Sequence, residues 1–155
     1  MKKVLIAYFS ASGVTARAAK ELAQTLDADL YEIRPETPYT AADLDWTNKK
    51  SRSTVEMNDP ACRPAIAEPV KNMAQYDAVF VGFPVWWYVE PRIVDTFLDS
   101  YDFSGKTLIP FATSGGSGIA KAEKSLREHC PNADWKKGEL VNSGAAEWAK
   151  RALNA

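Results

Sequence analysis

Three short stretches of this chain combine residue types that suit the holding of a ligand. Ser10-Ala11-Ser12-Gly13-Val14-Thr15 places three hydroxyls around one glycine. Hydroxyls donate to phosphate oxygens without adding charge. Where such a stretch opens a helix, the unpaired backbone N–H groups and the dipole also attract an anion. A simple N-cap by Ser12 or Thr15 needs one hydroxyl, so the cluster favours a phosphate cradle in Ser10, Ser12, Gly13, Val14 and Thr15. This stretch carries no Gly-Lys-Ser/Thr, so it is not a nucleotide-hydrolysing P-loop, and it does not match the GxGxxG dinucleotide pattern either. The second stretch, Pro84-Val85-Trp86-Trp87-Tyr88, sets three bulky aromatics in a row, with Pro91 just beyond. On a regular helix or strand, only part of such a trio faces one side. A turn bounded by prolines instead offers rigid planes for a flat ligand. In the third, Ser114-Gly115-Gly116-Ser117-Gly118, small residues permit close backbone approach to a ligand.

These stretches acquire meaning from the elements that position them. Lys3 to Phe9 is apolar on both faces, as in a strand within a parallel sheet. Further strands are predicted at Leu30–Ile33, Asp77–Phe83 and Thr107–Ala112, with a weaker fifth somewhere in Ala133–Val141. Helical spacing marks Ala16, Ala19, Leu22, Ala23 and Leu26; Ile93, Val94, Phe97, Leu98 and Tyr101; and Ile119, Ala122, Leu126 and Cys130. A last helix is marked by Ala145, Trp148, Ala149, Ala152 and Leu153. This alternation predicts an α/β fold with a parallel sheet and helices on both faces. The three candidate stretches then follow strands one, three and four. In open parallel sheets, ligands bind beyond the carboxyl ends of the strands. An anion cradle, an aromatic wall and a glycine-rich floor at one sheet edge suit a planar, phosphate-bearing ligand. Flavin mononucleotide (FMN) fits better than ATP, since neither a metal-binding Asp nor a phosphate-reading Lys accompanies the cradle.

The 155 residues suit one domain, 1–155, with 46% hydrophobic and 25% charged content. Residues 35–69 form a long excursion between strands two and three, with five prolines and part of 41–57 suited to helix. With 19 basic and 20 acidic residues, the net charge of −1 disfavours a nucleic-acid partner. Met1-Lys2-Lys3 before Val4–Phe9 superficially resembles a signal peptide, but the apolar run suits a buried strand and is too short to span a bilayer. The expectation is a cytoplasmic protein with no membrane partner. Cys62 and Cys130 have no zinc-ligand spacing, and His129 beside Cys130 is a poor nucleophile–base pair because neighbours on a helix do not face each other. No catalytic or metal-ligating residue is assigned. Among the five tryptophans, Trp86 and Trp87 fall in the ligand loop, Trp148 on a helical stripe and Trp135 among structural residues. Trp46 has no assignment.

Tyr8-Phe9-Ser10-Ala11-Ser12-Gly13-Val14-Thr15 resembles the phosphate-loop signature of the flavodoxin family. Phe83-Pro84-Val85-Trp86-Trp87 and the run Phe103-Ser104-Gly105-Lys106-Thr107 through Thr113–Gly118 match it as well, in the same order. The resemblance covers nearly the whole chain and implies a flavodoxin-like doubly wound sheet of five parallel strands in the order 2-1-3-4-5, of which flavodoxin is the type example. It implies non-covalent FMN, its phosphate on Ser10, Ser12, Gly13, Val14 and Thr15. Pro84, Val85, Trp86, Trp87 and Tyr88 would flank the ring, with Trp86 or Trp87 stacking, and Ser114, Gly115, Gly116, Ser117 and Gly118 would line its other edge. The expected role is electron transfer with redox partner proteins or small-molecule acceptors. Because electron-carrying members are often strongly acidic and this chain is nearly neutral, the alternative is an FMN-dependent NAD(P)H reductase of quinones or other small acceptors. In that case Trp46, Lys49 or Arg52 of the excursion would help form a second site. A receiver-type signalling domain of similar topology is disfavoured, because Phe9-Ser10 and Phe83-Pro84 stand where it needs acidic residues.

Overall fold

A computed structural model describes residues 3–154; Met1, Lys2 and Ala155, with the side chains of Leu153 and Asn154, lie outside the described set. The unbroken apolar runs become strands covered on both faces. All five residues of β1 (Val4–Tyr8) are buried, as are nearly all of β3 (Ala78–Pro84) and β4 (Thr107–Thr113). The more polar β2 (Asp29–Glu32) lies at the sheet edge. The parallel order is β2-β1-β3-β4-β5, as the resemblance implied.

The fifth strand is broken into β5 (Asp134–Trp135) and β6 (Glu139–Leu140), both parallel to β4. Its cause lies in β4. The carbonyls of Lys106, Leu108 and Ala112 accept from Asp134, Lys136 and Val141. By the same alternation Pro110 faces this side, and it has no N–H to give. Gly138 passes the gap so closely that a Cβ there would stand 2.3 Å from the Pro110 carbonyl oxygen.

Alternate residues of the central strands face two helical layers. Val4, Ile6, Tyr8, Phe80 and Phe111 pack with α1 (Val14–Leu26) and α5 (Ala145–Asn154). Leu5, Ala7, Phe9, Val81 and Phe83 pack with α3 (Arg92–Asp99) and α4 (Ala120–His129). Each buried Phe, Leu or Ile contributes about 1.5–3 kcal/mol relative to exposure. The predicted stripes hold: Ala19, Leu22, Ile93, Val94, Phe97, Ala122, Leu126, Ala145 and Ala149 are completely buried. Trp148 meets Phe80 edge-on at 5.8 Å, and the Trp135 indole N–H donates to the Cys130 carbonyl at 2.8 Å.

Helix in the excursion is shorter than 41–57, namely α2 (Arg52–Met57). Upstream, Asp43, Asp45 and Asn48 side chains accept from the backbone N–H groups of Thr40, Thr47 and Lys50, which holds the chain in turns instead. Ser51 then caps α2 by accepting from the Thr54 N–H. The excursion closes at its base through a Pro35–Ile66 bridge. It is tied to α3 by Arg92, which donates to the carbonyls of Glu56 and Met57. Among the described residues no helix is long and apolar enough to cross a membrane.

Candidate functional site

The three predicted stretches emerge side by side, because β1, β3 and β4 are neighbours with matched ends. Tyr8 pairs with Gly82, and Pro84 with Thr113. Beyond the strands, the Thr15 and Thr113 hydroxyls are bonded at 2.7 Å, and the Val85 N–H donates to the Thr113 carbonyl at 2.9 Å. The roots of all three loops therefore share one hydrogen-bonded seam.

In the first loop, neither Ser12 nor Thr15 caps α1. The N-cap position is Gly13, at φ 93°, with no side-chain cap and no acidic residue in the first turn. The Ser10 hydroxyl accepts from the Gly13 N–H at 3.1 Å, which curls the loop. Ser12, Gly13 and Val14 are exposed and Ser10 half-buried. Thr15 is buried, with its hydroxyl against Thr113 instead of facing outward. An uncapped helix start without a nearby carboxylate is electrostatically suited to an anion.

The second loop is a two-residue hairpin. Trp86 and Val89 exchange both backbone hydrogen bonds, at 2.9 and 3.1 Å, and the tip residues Trp87 and Tyr88 have φ of 47° and 72°. Positive φ at both central positions is the type I′ turn requirement, ordinarily met by Asn-Gly or Gly-Gly. For residues with a Cβ, that conformation costs roughly 1–2 kcal/mol each. Both side chains are nonetheless 43% and 55% exposed. Trp86 behaves differently: it is half-buried and meets Phe9 and Tyr39 edge-on at 5.6 Å. Pro84 and Val85 are half-buried at the hairpin's foot.

The third loop is ordered by its first serine. The Ser114 hydroxyl accepts from the N–H groups of Gly116 and Ser117 at 3.1 and 2.7 Å. Gly115, Gly116 and Gly118 are exposed. Asn142, which the sequence reading did not single out, holds both backbone groups of Ser114, accepting from its N–H at 3.0 Å and donating to its carbonyl at 2.8 Å. A hollow of about 280 Å³ lies between this loop and Leu140, Asn142 and Ser143; the other two loops do not line it. Across the site, the Lys121 ammonium sits 4.7 Å from the centre of the Tyr88 ring and bridges the aromatic hairpin to the start of α4.

The excursion supports this edge from behind. Tyr39 packs on Phe9 and Trp86, and its hydroxyl donates to Glu56. Burial first, then that bond, pushes the Tyr39 hydroxyl far above its ordinary pKa, so it is a neutral donor. Arg52 lies 3.8 Å over the Tyr39 ring, pairs with Glu56 at 2.9 Å and donates to the Thr37 carbonyl at 2.7 Å. Its Nε and Nη1 donors are thus engaged within the excursion. Trp46 is 73% exposed, and Lys49 is exposed as well. His129 Nε2 lies 2.7 Å from Asp99 and is engaged there rather than with Cys130. Burial pushes both thiols up, which disfavours the reactive thiolate. Among the described residues no cluster of His, Cys, Asp and Glu could hold a metal.

The family model described as Flavodoxin matches residues 3–153. A structure of a "putative flavoprotein" from Bacteroides eggerthii DSM 20697 is 49% identical, with a TM-score of 0.96, covering 99% of this chain and 97% of that one. A second protein of that description, from Bacteroides uniformis ATCC 8492, is 51% identical with a TM-score of 0.93 and 99% coverage of both chains. A flavoprotein from Lactobacillus acidophilus NCFM, solved in complex with FMN, is 21% identical with a TM-score of 0.77, covering 96% of this chain and 99% of that one. No curated protein matches.

Proposed function

The chain belongs to the flavodoxin family, and from that premise we propose that it binds FMN non-covalently and carries electrons between redox partners. The observation that carries this reading is the hairpin tip: Trp87 and Tyr88 are half-exposed in left-handed backbone conformations. Strain and exposure together, at aromatic residues beside an uncapped helix start, suit a site built to hold a flat, phosphate-bearing ligand. The FMN complex of the Lactobacillus acidophilus relative supports the choice of flavin.

In this assignment the backbone N–H groups at the start of α1, with the hydroxyls of Ser10 and Ser12, hold the phosphate. The buried Thr15 hydroxyl fixes the loop through Thr113. Trp87 and Tyr88 flank the ring, Trp86 anchors their hairpin to Phe9 and Tyr39, and the Ser114–Gly118 backbone lines the opposite edge. FMN, when bound, supplies the electron-accepting chemistry. A reductase needs a second site over the ring, and the Arg52 guanidinium is held within the excursion by Glu56, Tyr39 and Thr37. The carrier role is therefore favoured. The free thiols of Cys62 and Cys130 fit a cytoplasmic setting.

The direct test is a visible absorption spectrum of the purified protein, with mass identification of the released ligand. A flavin spectrum and FMN at about one equivalent per chain are expected. A colourless protein that gains no flavin spectrum with added FMN would overturn the assignment. NADPH oxidation with a quinone at enzyme-like rates would replace the carrier with the reductase.

A further inference from the structure

Two carboxylic acids are buried next to each other at the foot of the aromatic hairpin. Glu90 follows Val89, the residue that closes the hairpin, and is completely buried; Asp95, one turn into α3, is 3% exposed. Glu90 Oε2 accepts from the Ser125 hydroxyl of α4 at 3.1 Å. Arg92 approaches Asp95 Oδ2 at 3.7 Å while donating to the carbonyls of Glu56 and Met57. That leaves Glu90 Oε1 and Asp95 Oδ1, both buried and both without a partner. Two adjacent carboxylates with two orphaned oxygens are poorly tolerated away from water. One proton between them satisfies both atoms: a protonated Glu90 donates to Asp95, whose charge is faced by Arg92. The pair joins four parts of the molecule, namely the hairpin's foot, α3, α4 and, through Arg92, the end of α2.

We propose that Glu90 is a positioning residue for the flavin site, its shared proton with Asp95 locking the Trp86–Val89 hairpin, so that loss of this proton loosens the aromatic wall and weakens FMN binding. This rests on the hairpin being the flavin wall. Burial first, then the hydrogen bond and charge of Asp95, raise the Glu90 carboxyl from 4.5 to about 9, while the Ser125 bond pulls in the other direction. The proton is therefore held at neutral pH and released in mildly alkaline solution. The other titratable groups facing the hairpin are Tyr88 itself, Lys121 of α4 and, from the excursion, Tyr39 against Trp86.

The test follows two signals from about pH 7 to about pH 9.5, a range above the phosphate titration near about 6. Tryptophan fluorescence of the flavin-free protein sums five tryptophans, of which Trp86 and Trp87 lie in the hairpin, and is read as the difference from Glu90→Gln; flavin quenching gives FMN affinity. In the wild type both signals should change together, with FMN affinity falling by up to about fourfold by about pH 9.5. Glu90→Gln keeps a donor to Asp95 and an acceptor for Ser125, so it should retain the neutral-pH affinity and lose the pH dependence. Ser125→Ala removes a bond to the carboxylate and should move the midpoint to higher pH. Asp95→Asn removes the neighbouring charge and should move it lower. Unchanged pH dependence in Glu90→Gln, or flat wild-type signals, overturns the proposal. Should Glu90→Gln not fold, the opposed shifts of Ser125→Ala and Asp95→Asn decide, and absence of those shifts likewise overturns it. Absence of FMN binding at every pH, with the fluorescence transition intact in the wild type and lost in Glu90→Gln, would instead sink the flavin assignment and leave the proton lock standing.

Discussion

At the residue scale, Tyr88 separates what the fold needs from what the ligand needs. Its φ of 72° suits glycine better than any L residue with a side chain. Tyr88→Gly relieves roughly 1–2 kcal/mol of backbone strain. Against this stand the added freedom of glycine in the unfolded chain, about 0.5–1 kcal/mol, and the loss of the exposed Lys121 contact, about 0.5–1 kcal/mol. Stability should therefore stay within about 1 kcal/mol of the wild type by urea denaturation. FMN affinity should fall about tenfold, the scale of one lost aromatic stacking contact. A clear loss of stability with unchanged affinity would make Tyr88 a structural residue. Much of this was legible from the chain, since three aromatics in a proline-bounded turn cannot all be core. What was not legible is the division among them: Trp86 turns inward because Phe9 and Tyr39, distant in sequence, form its receptor.

Elements were legible where pattern and packing agree, as in β1, β3 and α3. They were not where one strand's chemistry constrains another. Pro110 lies in an apolar run and reads simply as strand, yet its missing N–H divides the fifth strand and brings Gly138 against its carbonyl. Asn142 escaped notice for a similar reason, because its value is a two-bond clasp on Ser114, twenty-eight residues away. The same dependence between strands sets the role of Gly82. A Cβ there would stand 2.1 Å from the Phe111 ring. That ring is buried among Phe80 and Trp148 and has little room to yield. Gly82→Ala should destabilise by about 1–3 kcal/mol, the usual cost of overpacking a core. Thermal unfolding with and without added FMN checks this, and both forms should lose stability because the clash lies in the sheet. A melting temperature equal to that of the wild type would show that Phe111 can move aside.

For the whole molecule, buried and exposed carboxyls act on stability in opposite directions as pH changes. Asp99, half-exposed, joins Arg63 of the excursion to His129 at the end of α4. Burial alone would raise its carboxyl, but its bonds to Arg63 and His129 outweigh that and hold it below 3.8. Its stabilisation is present above 3.8 and lost as pH falls through the lower folded value, by a small amount because the pair is screened by solvent. Glu90 has the opposite sign. Its carboxyl is raised from 4.5 to about 9, so the folded state binds more protons than the unfolded chain between those values, and stability declines as pH rises across that window. One proton limits the slope to about 1.4 kcal/mol per pH unit. For a chain of this size that is at most about 3–6 °C in melting temperature per pH unit. Together the two groups place maximal stability at about pH 4, between the window in which Asp99 gains and that in which Glu90 loses. Calorimetric melting of the flavin-free protein should show a maximum there and a decline toward about pH 9 that Glu90→Gln flattens. Because urea or heat unfolds the chain whether or not flavin binds, a wild-type melting temperature that stays level over this range would mean that Glu90 is not held protonated in the fold.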